Sequence, residues 1–186
     1  MDPKIKRNYA LNGAAVLLLV GALFWSKGNL DGYKIQIMNL IAVNIILALS
    51  LNLIYGFTGL FSLGHAGFMA IGAYTCSLLI LPATYKQTMF LLQAPIWPFS
   101  VMHAPFFVAV IAAGLAAAFF GFLIGLPVLR LGGDYLGIAT LGFAEIIRVL
   151  ANNMPRVTNG ALGLKGIPSY SNLWWNYGWC LLTLYV

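Results

Sequence analysis

Four stretches of this sequence contain no Asp, Glu, Lys or Arg: residues 8–26, 35–85, 87–129 and 166–186. A helix needs about 20 mostly apolar residues to cross the hydrocarbon of a bilayer. The stretch 35–85 is long enough for two crossings and a turn, and 87–129 for one crossing and a loop. The runs are continuous, whereas a transmembrane β-barrel is built from short segments that alternate apolar with polar. Composition points the same way, with 61% hydrophobic residues, 8% charged residues and a mean hydropathy of +0.90. A soluble domain carries roughly 25% charged residues, so there is too little polar side chain here to coat a water-soluble globule. Disorder requires the opposite composition, low hydrophobicity and high charge. The sequence therefore predicts an all-α fold, a polytopic integral membrane helix bundle, and excludes a soluble enzyme.

Breakers and charges divide the chain into five full crossings plus a truncated sixth. The first covers residues 9–25. Lys4, Lys6 and Arg7 precede it, and it ends in Phe24-Trp25 rather than a small-x-small cleavage site, so it is expected to stay uncleaved. The second covers 35–55 and gives way to Gly56, Gly59 and Gly64. The third covers 66–81 and stops at Pro82, before an interfacial loop at 83–104 that includes a short helix near 84–93. The fourth covers 105–129, with Pro105 in the first turn, where a missing N–H does no harm. A polar turn containing Arg130, Gly132, Gly133 and Asp134 leads to the fifth, 135–153. The Gly-rich loop from Pro155 to Pro168 precedes a sixth that starts near Leu173 and is cut off at Val186.

The net charge of +6 does not form a basic stripe of the kind that reads nucleic acid. Its Lys and Arg flank the apolar runs, where they meet lipid headgroups. With the N-terminus inside, Lys4, Lys6, Arg7 and Arg130 are cytoplasmic, while Lys27, Lys34, Lys86, Arg156 and Lys165 are outside. The positive-inside rule is thus indecisive over the whole chain, although the cluster before the first crossing favours N-inside locally.

Few residues here can carry chemistry. Asp2, Asp31, Asp134 and Glu145 are the only acids; Cys76 and Cys180 match no metal-ligand spacing; no phosphate-binding loop or Ser/His/Asp set is present. No catalytic residue, metal or cofactor is expected. Five features remain. The junction around Gly56, Gly59, Gly64 and His65 lies within an uncharged stretch. It reads either as a broken helix lining a substrate path or as a tight surface turn with close helix packing. Ala113, Ala117, Gly121 and Gly125 recur at four-residue steps on one face of the fourth crossing, a pattern that lets another helix approach closely. Glu145 and Arg148, three apart in the fifth crossing, face each other across one turn. Charges inside a span turn toward the bundle or toward water, so the pair marks either a transport path or an internal register lock, with Thr140 and Asn152 extending its polar stripe. Asn44 and Asn52 share a face of the second crossing, and their amides suit helix–helix bonding or substrate contact. The segment from Thr158 to Pro168 reads as a turn-rich external loop.

Three of these stretches bear a family resemblance. The segment from Leu51 to Tyr74, LNLIYGFTGLFSLGHAGFMAIGAY, resembles permease subunits of ABC importers for branched-chain amino acids. So do the segment from Gly125 to Arg148, GLPVLRLGGDYLGIATLGFAEIIR, and the segment from Thr158 to Pro168, TNGALGLKGIP. The pattern is closest to the LivM-type member of the paired permeases, and urea permeases of the same superfamily share much of it. The resemblance implies an N-inside, multi-pass subunit of the cell membrane. It also implies a second, LivH-type permease subunit, two cytoplasmic ATPase subunits and an extracellular solute-binding protein. Family members continue well beyond 186 residues into a cytoplasmic Ala- and Glu-rich segment that docks on the ATPase. Residues 1–186 are accordingly expected to be the N-terminal part of a single transmembrane permease domain. The expected activity is ATP-driven import of branched-chain amino acids by alternating access. Urea transport, or an ion-coupled secondary transporter in which Glu145 and His65 titrate, are the alternatives. The candidate path or gating residues are Gly56, Gly59, Gly64, His65, Asn44, Asn52, Glu145 and Arg148.

Overall fold

The structure is a computed structural model that describes residues 20–21, 23–24, 31–90, 102–168, 170 and 172–185. The described residues are helical wherever they are regular, with no strand among them. They divide into two compact units, residues 51–170 and a smaller one from 1–50 with 171–186.

In the smaller unit, α1 (Gly32–Asn52) lies beside α7 (Leu173–Tyr185). Leu23, Ala42, Leu173 and Tyr177 form its buried core, with Ile35, Met38 and Trp174 packed around them. Phe24 meets Trp174 edge-on, with centroids 4.6 Å apart. The expected first crossing at 9–25 lies outside the described residues except for these few positions. Helix α1 does not end at residue 55. Its last turn continues in π winding over Leu53–Thr58, because the Thr58 hydroxyl donates to Ile54 O at 2.6 Å and Gly59, at φ 65°, closes the helix in the left-handed region.

The larger unit is built on α2 (His65–Ile80), α4 (Phe106–Val128) and α5 (Asp134–Asn153), which all pack on one another. Pro82 ends α2 as expected, since the residue before a proline is pushed to extended geometry and Leu81 adopts φ −63°, ψ 129°. Helix α3 (Ala83–Met89) starts at once, bent 115° from α2. The third crossing expected at 66–81 is this 16-residue helix, and the short helix expected near 84–93 is α3, which ends at Met89. Sixteen residues rise only about 24 Å, less than the roughly 30 Å of bilayer hydrocarbon. The rest of the expected interfacial loop, 91–101, lies outside the described residues. Ala104 N–H donates to Leu79 O at 2.9 Å, and Leu79, Ile80 and Ala109 form a buried cluster. Together these clamp the end of α2 to the start of α4. After α5, the short helix α6 (Pro155–Thr158) and a 3-10 turn at Gly160–Leu162 fold back on it. The Thr158 hydroxyl donates to Ala151 O, one of the carbonyls that the end of α5 leaves free.

Three helical segments are long and apolar enough to cross a membrane: Gly32–Thr58, Phe106–Val128 and Tyr135–Asn153. The bent pair α2 and α3 makes a fourth if it counts as one broken span. The described residues thus give three or four spans where the sequence predicts five and the start of a sixth, and α7 has only 13 residues. The outer face of α4 displays Phe107, Ile111, Leu115, Phe119 and Phe122, all more than half exposed. Such a stripe is intolerable in water and natural in lipid.

Candidate functional site

The junction between α1 and α2 and the first turn of α2 are set against α5 by four close approaches. Leu60 through Leu63 carry no regular structure, so their amides need partners elsewhere. Leu63 N–H finds Thr140 Oγ1 at 2.9 Å, while the same hydroxyl donates to Gly137 O at 2.9 Å. Phe61 packs so tightly on Gly137 that a Cβ there would collide with its ring. Two turns along, a Cβ on Gly67 would stand 3.1 Å from Ala144 Cα and 2.9 Å from Ile147 Cδ1. Small residues on both helices therefore bring the backbones together at this point. Gly64 is buried beside Thr140, whose carbonyl oxygen would lie 3.1 Å from a Cβ there.

Just beyond this contact the two helices leave a groove of about 440 Å³. Ala66, Ala70, Leu141 and Ala144 make its apolar wall, and Tyr74 and Asn152 add a hydroxyl and an amide. Glu145 and Arg148 line it too. They form a two-point ion pair, Arg148 Nε donating to Glu145 Oε2 at 2.9 Å and Nη2 to Oε1 at 2.6 Å. Their side chains are 54% and 70% exposed. The charges thus neutralise each other but are not shut inside the protein. Glu145 lies ten residues into the Tyr135–Asn153 span, about 15 Å along its axis. Charge at that depth needs a polar partner or water, and each of the two residues is the other's partner.

None of the other expected site residues lines this groove. His65 is half-buried at the start of α2. Gly56 and Asn52 are exposed neighbours, the amide of Asn52 lying 3.4 Å from where a Gly56 Cβ would stand. Gly59 serves as the helix stop described above. Asn44, expected to bond between helices, instead donates to Leu40 O of its own helix at 2.9 Å. An exposed amide can satisfy itself locally in this way. The amide bond between helices in that unit is Asn176 Nδ2 to Asn39 Oδ1, 3.0 Å. Neither residue was singled out from sequence, because 137 positions separate them and nothing local marks the pair. On α4, Ala113 is buried and Ala117, Gly121 and Gly125 are half-buried. Gly121 lies close to Phe68 of α2, and a Gly72 Cβ would lie 3.9 Å from Ala113 O.

Fold and site together define a multi-pass helical membrane protein with a charged pair on a groove between two of its helices. A family model described as branched-chain amino acid transport system / permease component matches residues 33–174. The chain belongs to that family, a transport component rather than an enzyme. It is 44% identical over 157 residues to the high-affinity branched-chain amino acid transport system permease protein LivM of Escherichia coli (strain K12). It is 42% identical over 155 residues to the protein of that name from Salmonella typhimurium (strain LT2). These alignments cover 82% and 81% of this chain but 31% of each relative, so the chain spans about a third of their length. No solved structure matches it.

Proposed function

We propose that this chain is part of the membrane-spanning permease subunit of an ATP-driven importer for branched-chain amino acids. The observation that carries this reading is the family match over residues 33–174, joined to 44% identity with a branched-chain amino acid permease protein. The helices supply a path by alternating access and catalyse no covalent step. Energy comes from two cytoplasmic ATPase subunits, and solute is delivered by an extracellular binding protein to this chain and a second, LivH-type permease subunit. The protein sits in the cell membrane with its N-terminus cytoplasmic. Residues 1–186 contribute to one permease domain with five crossings and the start of a sixth. Within it the groove of Glu145 and Arg148 lines the path, the Gly56–His65 junction with Asn52 flanks it, Asn44 is a further path or gating residue on its own helix, and the Ala113–Gly125 stripe packs helices together.

The test is leucine uptake by cells expressing the whole importer, with and without its co-encoded ATPases. Uptake that needs them supports the reading. Unchanged uptake without them, lost when the proton or sodium gradient is collapsed, would favour an ion-coupled carrier instead.

A further inference from the structure

We propose that the Glu145–Arg148 pair is the head-group site for the transported amino acid, with the apolar wall of the groove receiving its aliphatic side chain. This rests on the import reading above and specifies where in this chain the solute is recognised. A free amino acid carries an ammonium and a carboxylate on one carbon. Glu145 offers an acceptor pair for the first, and Arg148 a planar fork that matches the second. The two stand side by side, three residues apart on α5, with Arg148 Nη2 2.6 Å from Glu145 Oε1. A zwitterion can slot between them and replace one ion pair with two.

Three features of the groove favour this ligand. The pair is more than half exposed on both sides, so a solute can reach either partner. The volume of about 440 Å³ lies within the roughly 300–1,000 Å³ typical of small-molecule pockets. The wall made by Ala66, Ala70, Leu141 and Ala144 has no charge, which suits a branched hydrocarbon and repels a charged side chain. A purely structural staple between i and i+3 needs neither the groove nor its apolar lining.

The experiment uses the complete importer, purified without its binding protein, and tritiated L-leucine as probe. Competitors are isopentylamine, which is leucine without the carboxylate, and 4-methylpentanoate, which lacks the ammonium. In the wild type both half-molecules displace leucine, each more weakly than leucine itself; displacement by neither overturns the proposal. Glu145→Gln weakens leucine binding at least tenfold and abolishes competition by the amine while sparing the acid. Arg148→Gln does the reverse. The exchanged variant, Glu145→Arg with Arg148→Glu, rebuilds the helix staple with its polarity inverted. Should it assemble and bind leucine as the wild type does, the pair is a staple and the proposal fails; a tenfold or greater loss in assembled protein supports it. Failure of the wild-type importer to take up leucine at all would instead count against the import reading.

Discussion

At Thr140, one hydroxyl fixes the start of the groove by accepting from Leu63 N–H and donating to Gly137 O. Replacing it with valine keeps the shape and strands a backbone donor. The expected cost is about 1–3 kcal/mol, read as a fall in the melting temperature of the detergent-solubilised protein. Thr140→Ser retains the bond and is expected to lose well under half as much. Gly67 makes the complementary case. A leucine there must push against Ala144 Cα, which is backbone and cannot swing aside. Overpacking of this kind costs about 1–3 kcal/mol, and Gly67→Leu is expected to lower the melting temperature and widen the α2–α5 separation reported by cross-linking. Sequence made part of this legible. The glycine density of 56–67 marked a break, and Glu145 with Arg148 marked a paired charge inside a span. The partners were invisible, because Phe61 on Gly137 and Leu63 on Thr140 join positions more than seventy residues apart with no local signature.

Among the elements, the legible ends are those that proline and glycine punctuate. Pro105 opens α4, Gly133 precedes α5 and Pro82 stops α2. The extension of α1 to Thr58 was not legible, because it depends on a hydroxyl bonding its own helix and on π winding that leaves no periodic trace. Nor was the 115° bend after α2, since a proline fixes that a helix stops but not where the chain goes next. Two predictions belong here. Asn39 and Asn176 join α1 to α7. A double-mutant cycle with alanine at both is expected to give a coupling of about 0.6 kcal/mol, up to ~1.7, as hydrogen-bonded side chains between helices of membrane bundles do. Leu115 stands 67% exposed midway along α4. Arginine at that exposed mid-helix position is expected to raise the apparent insertion free energy by about 2.5–3.5 kcal/mol, seen as a loss of membrane-inserted product in a glycosylation-reporter assay.

For the molecule as a whole, the uncharged runs specify a bilayer as solvent and leave a groove where the chain keeps its intramembrane charge. The central claim is that the α2–α5 groove is wetted and open to solute, while the outer face of α4 meets lipid. The most direct measurement is cysteine labelling in membranes of the complete importer, with Cys76 and Cys180 first replaced by serine. Cysteines introduced at Ala66 and Leu141 report the groove, and those at Leu115 and Phe119 report the outer face. A water-soluble maleimide is expected to label the first two and spare the last two, with leucine slowing the groove reaction. Labelling of Leu115 and Phe119 with protection of Ala66 and Leu141, unaffected by leucine, would contradict it.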